Sequence, residues 1–333
     1  MKIVSSYHTY EIKIGDCIDY IEKNYKEGDL VIYDLNIPFQ LGNVIKYGIV
    51  SSEKEKEFTE LFKIIKFMSD NNFKKNNKIF AFGGGVVQDI CGFISSIYHR
   101  GLDWIFIPST LISQGDSCIG GKTSINFNKY KNQLGNIYPP KEICIDINLL
   151  KTLPQEHINS GLGEMLHYFI FSSKKDFLFF NENMENKNYL SLIQKSLEIK
   201  KSVIEVDEKE NGIRKLFNYG HTFGHAIESL SDYQIPHGVA VAMGMDLSNY
   251  ISFRVGLLSK DVYLEIKKTI NKITNKYNCD DVEKFYEIIK SDKKNSRSHI
   301  KPILCRGYGD LAQHSFTYYG ELLTFIKEYF ENE

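Results

Sequence analysis

The sequence predicts an α/β N-terminal half with a mostly parallel sheet (residues 1–154), followed by a mainly α-helical C-terminal half (155–333). Three observations carry that expectation. Up to about residue 150, short apolar runs alternate with longer amphipathic ones, as when strands are joined by crossover helices. After Leu153-Pro154 the apolar periods become helical, and short apolar runs bounded by turn residues almost vanish. The length, 333 residues, suits about two domains.

Taken in order, Leu30-Val31-Ile32-Tyr33, Lys78-Ile79-Phe80-Ala81-Phe82, Trp104-Ile105-Phe106-Ile107-Pro108 and Glu142-Ile143-Cys144-Ile145-Asp146 read as strands. They are short apolar runs of the residue types that fit a pleated surface. Helical spacing appears between them, notably over 53–69 and 87–99. Beyond Pro154, helices are expected over 155–172, 187–207, 220–230, 237–256, 261–276 and 280–290. A cleft is expected where the halves meet, a common place for ligands. The Lys/Asn-rich stretches 74–78 and 293–297 read as solvated loops.

Composition narrows the function. Hydrophobic residues are 42% and charged residues 25%, a globular balance. With 41 Lys plus Arg against 42 Asp plus Glu, the net charge is −1, so whole-chain charge gives no support to nucleic-acid binding. Six scattered cysteines without a C-x-x-C pair read as reduced thiols of a cytosolic protein. Met1-Lys2-Ile3-Val4 runs into strand-like alternation rather than a signal-peptide block. No apolar run approaches about 18 residues, so no membrane span is expected. A cytoplasmic enzyme is the expectation.

Gly83-Gly84-Gly85-Val86-Val87-Gln88-Asp89 follows an apolar strand and opens an apolar helix. Glycines there let backbone approach a pyrophosphate, whose charge the helix N-terminus favours, as in a Rossmann-like turn. Gln88 stands where the dinucleotide fingerprint has its third glycine, so the match is partial and a tight turn without a ligand stays open. Gly120-Gly121-Lys122-Thr123 resembles the end of a phosphate-binding P-loop, but Asp116 occupies the required upstream glycine position and Gly115 is out of register. Lys122 remains a candidate cation for a phosphate or hydroxyl.

Asn218-Tyr219-Gly220-His221-Thr222-Phe223-Gly224-His225 places two histidines four residues apart on one helix face, and His237 begins another apolar helix. Upstream, Gly161-Leu162-Gly163-Glu164 is expected to start a helix that carries His167 one turn later. A glutamate with two or three histidines can hold a catalytic zinc with an open position. Each histidine alone could equally be a buried structural residue. The pair is not H-E-x-x-H, so a zinc-protease reading lacks its general base. Arg100, Lys122, Lys131, Lys200, Arg214 and the Lys293-Lys294 pair crowd the same segments and can focus positive potential on an anionic substrate.

Together these motifs resemble the 3-dehydroquinate synthase family of sugar-phosphate cyclases. The carriers are Gly83-Gly84-Gly85-Val86-Val87-x-Asp89, Tyr98-His99-Arg100-Gly101, Pro108-Ser109-Thr110-Leu111, Asp116-Ser117-Cys118-Ile119-Gly120-Gly121-Lys122-Thr123 and Lys131-Asn132. They continue through Leu150-Lys151-Thr152-Leu153-Pro154, Gly161-Leu162-Gly163-Glu164, Arg214-x-x-x-Asn218-x-Gly220-His221-Thr222-Phe223-Gly224-His225, His237-Gly238 and Asp292-Lys293-Lys294. Most of the chain is covered, in order and register.

The resemblance implies an NAD-binding N-terminal domain and a helical metal- and substrate-binding C-terminal domain. It implies a bound NAD that is reduced and reoxidised within one turnover, and one divalent metal, usually zinc, with cobalt as an alternative. Carried over by position, Glu164, His221 and His237 are the implied metal ligands. Asp34, Asn36, Glu53, Lys56, Gly84, Gly85, Asp89, Ser109, Thr110, Lys122, Lys131 and Thr152 are implied at the NAD site. Asp116, Lys122, Asn132, Lys200, Arg214, Asn218, His225 and one of Lys293 and Lys294 are implied to face the substrate. Arg100 is implied to reach phosphate across a dimer interface, hence a homodimer. The implied reaction converts 3-deoxy-D-arabino-heptulosonate 7-phosphate to 3-dehydroquinate by oxidation, phosphate elimination, re-reduction, ring opening and aldol closure.

The chain departs from the family pattern at His167, usually lysine, at Val239, where His-Gly-Glu is usual, and at Gln88. These keep a related cyclase, with a substrate such as sedoheptulose 7-phosphate, as an alternative. Arg214, implied to pair with a substrate carboxylate, favours the 2-keto acid substrate. A dehydrogenase of similar fold, or a non-catalytic relative, is the reading outside this chemistry.

Overall fold

The computed structural model describes residues 1–38, 40–128, 130–291, 298–318 and 320–331. The chain forms two compact units, Met1–Leu153 with Ile204–Glu208, and Pro154–Val203 with Lys209–Glu333.

The first unit contains, in order, β1 (Lys2–Ile3), β2 (Tyr10–Ile14), α1 (Cys17–Asn24), β3 (Leu30–Asp34), β4 (Ile45–Ile49), α2 (Leu61–Asp70), β5 (Ile79–Gly83), α3 (Gly85–Ile97), β6 (Trp104–Pro108), β7 (Lys122–Phe127), β8 (Tyr130–Ile137) and β9 (Glu142–Ile145). Seven strands make one sheet in the order β1-β2-β9-β6-β5-β3-β4, parallel except for the β1–β2 pair. Both faces are covered, which is why its central strands read as unbroken apolar runs. Val31, Phe80, Phe82, Ile105 and Ile107 pack with Cys17, Tyr20 and Ile21 of α1, while α3 packs on β5 and β6. Each such aliphatic or aromatic side chain contributes about 1.5–3 kcal/mol through burial.

The expected helix over 53–69 is broken. Glu53–Lys56 form a single 3-10 turn, Glu57 pairs with Asn126, and α2 starts only at Leu61. Tertiary contact outweighs helical spacing here: the Phe58 N–H donates to the Asn126 carbonyl at 3.0 Å, and its ring packs against Phe62, Phe93 and Phe127. The β7–β8 hairpin had no sequence signal, because β8 is mostly polar and largely exposed.

The second unit contains α4 (Gln155–Ser172), α5 (Lys174–Glu185), α6 (Tyr189–Ile204, whose last residue groups with the first unit), α7 (His221–Leu230), α8 (His237–Arg254), α9 (Lys260–Ile273), α10 (Val282–Ser291), β10 (His299–Ile300), β11 (Ile303–Gly307), β12 (Asp310–Gln313), β13 (Phe316–Thr317) and α11 (Leu322–Glu331). Three differences from expectation stand out. Gly161-Leu162-Gly163-Glu164 lies in the middle of α4 rather than at its start. A separate helix, α5, fills the interval after residue 172, capped by the Ser173 hydroxyl, which accepts from the Asp176 N–H. Two small antiparallel pairs, β10–β13 and β11–β12, lie within this mainly helical unit and had not been expected.

α8 is the axis of the second unit, packed against α4, α7, α9 and α11. Glycines let the backbones meet. A Cβ on Gly238 would stand 2.8 Å from the Ser160 carbonyl carbon and 2.9 Å from the Glu164 nitrogen. One on Gly224 would meet the Ala240 carbonyl oxygen at 2.9 Å and Val241 Cα at 3.0 Å. Gly220, at φ +83°, turns the chain into α7 in a conformation that suits glycine. Among the described residues, no helix is long and apolar enough to cross a membrane.

Candidate active site

In the first unit, the carboxyl ends of β3, β5 and β6 lie side by side, at the switch point where open α/β sheets place ligands. Asp34 ends β3, and its Oδ1 accepts from both the Asn36 N–H (2.9 Å) and the Asn36 side-chain amide (3.0 Å). Gly84 and Gly85 carry β5 into α3, and Ser109, whose N–H donates to the Gly83 carbonyl at 2.9 Å, follows β6 with Thr110. A Cβ on Gly84 would meet Thr110 at 3.1 Å, but one on Gly85 would meet nothing within 4 Å. Protein packing therefore does not explain Gly85. Open space at a helix N-terminus is what a closely approaching pyrophosphate requires.

Gln88 has its own reason. It is buried, its amide donates to the Ser117 carbonyl at 2.7 Å, and its oxygen accepts from the Ser117 hydroxyl at 2.6 Å. It ties α3 to the turn that carries Asp116.

A polar network extends from the same helix. The buried Lys56 ammonium lies 2.8 Å from Asp89 and 3.7 Å from Glu53, and donates to Asn132 Oδ1 at 2.9 Å. Asp89 also accepts from the Ser124 N–H (3.0 Å) and hydroxyl (2.8 Å). Burial pushes the Asp89 carboxyl up, and Lys56 and Ser124 only partly oppose it. Lys122, Lys131 and Asn132 lie on the β7–β8 hairpin rather than in a P-loop: Lys122 opens a strand, not a helix. Thr152, at the end of the turn after β9, is exposed. Arg100 is exposed and left-handed (φ +60°), as is His99 beside it.

In the second unit, three helices converge on one carboxylate. Glu164 comes from α4, His221 opens α7 and His237 opens α8. His221 Nε2 lies 3.5 Å from Glu164 Oε1, and His237 Nε2 lies 3.4 Å from Glu164 Oε2. Ligand atoms about 2.0–2.2 Å from a tetrahedral ion stand about 3.3–3.6 Å apart, so this spacing suits one metal ion. Burial alone would raise the Glu164 carboxyl, but the imidazoles of His221 and His237 outweigh it and hold it well below the usual range. Among the described residues, the buried Glu164 Oε2 has no hydrogen-bond donor, a place that a bound cation would fill.

Both imidazoles are held from behind. His221 Nδ1 lies 3.3 Å from the Tyr219 carbonyl, and His237 Nδ1 lies 3.1 Å from Glu228 Oε2. Glu228 was missed by the sequence reading. Its signal was available, since it lies three residues beyond His225 on the same face of α7. His167 is buried one turn beyond Glu164, with Nδ1 4.0 Å from Glu164 Oε1 and its ring against Tyr168, Phe217 and His221. His225 neighbours the cluster, its ring 5.5 Å from His221 and 5.8 Å from His237. Lys200 and Arg214 are buried in this unit, and the Asn218 amide donates to Glu210 at 2.6 Å. Lys293 and Lys294 lie outside the described residues.

A parallel-sheet unit with an open glycine turn, and a helical unit with a Glu-His-His cluster, define a nucleotide- and metal-dependent class of enzyme. Comparison with known proteins makes this specific. Residues 46–160 match the 3-dehydroquinate synthase N-terminal domain and residues 161–295 its C-terminal domain. The 3-dehydroquinate synthase of Dictyoglomus turgidum is 40% identical over 301 residues, covering 87% of this chain and 81% of that protein. That of Dictyoglomus thermophilum is 38% identical over 325 residues, 90% of each. A solved 2-deoxy-scyllo-inosose synthase, complexed with carbaglucose-6-phosphate, NAD+ and Co2+, superposes with a TM-score of 0.88 over 98% of this chain and 99% of its own, at 21% identity. The chain belongs to the 3-dehydroquinate synthase family.

Proposed function

We propose that the chain converts 3-deoxy-D-arabino-heptulosonate 7-phosphate to 3-dehydroquinate and phosphate, using NAD and one divalent metal ion, zinc or cobalt. The observation that carries this is the Glu164-His221-His237 cluster within a chain 40% identical to a 3-dehydroquinate synthase. When bound, the metal supplies Lewis acidity at a substrate hydroxyl, and NAD supplies reversible hydride acceptance.

The chain's own residues bind and orient. Glu164, His221 and His237 hold the ion. Gly84 and Gly85 give the pyrophosphate its approach. Asp34 and Asn36, with Glu53, Lys56, Asp89, Ser109, Thr110, Lys131 and Thr152, line the rest of the nucleotide site. The Lys56–Asp89 pair keeps a buried ammonium fixed at the root of the hairpin that carries Lys131 and Asn132, so both are presented on a rigid base. Arg214 and Lys200 take the substrate carboxylate, and burial keeps that charge pair out of water. Asp116, Lys122, Asn132, Asn218 and His225, with one of Lys293 and Lys294, hold hydroxyls and phosphate and stabilise charge that develops as phosphate leaves. Arg100 serves the phosphate of a neighbouring protomer in a homodimer. Residues 1–154 form the nucleotide domain and residues 155–333 the metal and substrate domain, in a cytoplasmic enzyme.

A second reading, a cyclase for another sugar phosphate, draws on His167. A buried imidazole packed beside Glu164 stands where lysine is usual in the family, which changes what the site offers a substrate hydroxyl.

The test is phosphate release from the heptulosonate phosphate with NAD and zinc present, while net NADH is followed by absorbance. Rapid release without NADH build-up, and 3-dehydroquinate as product, is expected. No release from protein shown to hold both cofactors refutes the proposal, and sedoheptulose 7-phosphate then becomes the substrate to try.

A further inference from the structure

His237 stands between two carboxylates, with Nε2 3.4 Å from Glu164 Oε2 and Nδ1 3.1 Å from Glu228 Oε2. A neutral imidazole carries one N–H and one lone pair, and an ionised carboxylate only accepts. Nδ1, the closer contact, donates to Glu228, which leaves the Nε2 lone pair for an ion held between Nε2 and Glu164. His221 is treated alike by the Tyr219 carbonyl, 3.3 Å from its Nδ1. The two partners differ in kind. The carbonyl is backbone and partly fixed by the Gly220 turn, whereas Glu228 is a side chain on α7 that reaches across to the first residue of α8.

We infer that Glu228 is a positioning residue for the metal: it orients His237 and sets how tightly the ion is held. The inference rests on the metal-dependent reading above. It excludes one other use of the same atoms. His225, Glu228 and His237 also form a set whose ligand atoms lie within 4.8 Å of one another, and so offer a second ion site. Nδ1 is the ring nitrogen that faces Glu228, and in our assignment it carries the proton and offers no lone pair to an ion there.

The experiment uses the full chain, stripped of metal and titrated with zinc against a chromogenic chelator, as wild type, Glu228→Gln, Glu228→Ala and Glu164→Gln. Cobalt loading, read by visible absorption, and melting of the metal-free proteins run in parallel. Wild type is expected to bind one ion per chain and Glu164→Gln to lose it. Glu228→Ala should bind about 10–100-fold more weakly, the usual cost of removing such a partner. Glu228→Gln keeps an acceptor without the charge and should lose less than Glu228→Ala. A changed cobalt spectrum in both Glu228 variants, with metal-free melting little altered, separates orientation of a ligand from a packing role.

Wild-type affinity in both Glu228 variants overturns the inference. So does a stoichiometry of two ions, with Glu228→Ala losing only the weaker one. If Glu228→Ala folds poorly, Glu228→Gln decides. A wild type that binds no ion instead ends the metal-dependent reading itself, an outcome distinct from indifference to Glu228.

Discussion

Substituting Gly238 by alanine should undo the metal site without touching a ligand. The added Cβ would stand 2.8 Å from the Ser160 carbonyl carbon and 2.9 Å from the Glu164 nitrogen. Comfortable contact needs about 3.5–4.0 Å between such atoms, so α4 and α8 must part by more than about 0.5 Å. Both obstacles are backbone, so no side chain can swing aside. Overpacking typically costs about 1–3 kcal/mol, and rigid backbone on both sides puts this case at the upper end. For a unit of this size about 3 kcal/mol lowers the melting temperature by about 6–12 °C. Gly238 directly follows His237, and the obstructing nitrogen belongs to Glu164. The separation therefore falls on two of the three ligands, and their spacing has about 0.2 Å of tolerance. The assay is thermal melting with zinc content per chain, using Gly15→Ala, whose Cβ would meet nothing within 4 Å, as control. A Gly238→Ala protein that melts within about 2 °C of the parent and holds full metal would refute the close-packing argument.

Three further outcomes follow from the same structure. Gly85→Ala should leave stability unchanged or raise it by about 0.4–1 kcal/mol, while NAD affinity by calorimetry drops at least about tenfold; unchanged affinity would remove the pyrophosphate from that turn. Lys56→Met strands the buried Asp89 carboxylate and should cost about 3 kcal/mol in urea unfolding, with Lys56→Met/Asp89→Asn recovering most of it. Burial raises the Glu142 carboxyl, but the Lys13 ammonium and the Tyr20 hydroxyl (2.6 Å) outweigh it and hold it below its usual value. The folded state thus gains from ionised Glu142 above about pH 4.5 and loses that gain as pH falls through the depressed value. Glu142→Gln should therefore be less stable than wild type near pH 7, with the gap closing toward pH 3; a gap independent of pH would show that charge is not the cause.

How much was legible depended on whether burial or partnership fixed an element. Four strands of the sheet, β3, β5, β6 and β9, were readable because they are mostly buried apolar runs, whereas β4, with Lys46 and Gly48 among its apolar residues, was not. The Glu-His-His ligands were readable from residue type and spacing, then from the family pattern. The β7–β8 hairpin was not, since β8 is mostly polar and the hairpin is held by strand pairing, by the Ser124–Asp89 hydrogen bonds and by the Thr123–Asn136 bond between its two strands. Helix 53–69 failed because Phe58 found partners far away in sequence, which no local period records. The glycines at 163, 224 and 238 look like helix breakers in isolation. Their purpose, backbone meeting backbone, exists only once α4, α7 and α8 are together.

The grouping of Ile204–Glu208 with the first unit bears on how this enzyme can be taken apart. The Val4 N–H donates to Glu205 at 2.7 Å and the Ser6 N–H to Glu208 at 3.1 Å, so a stretch encoded deep in the second half completes the amino-terminal edge of the first. The polypeptide crosses between units at three places rather than one. A gene cut near Pro154 separates Val4 and Ser6 from the carboxylates that accept from them. Halves exchanged between relatives carry with them the acceptors that another protein's loop between β1 and β2 must match, so interchange is governed by this short internal clasp.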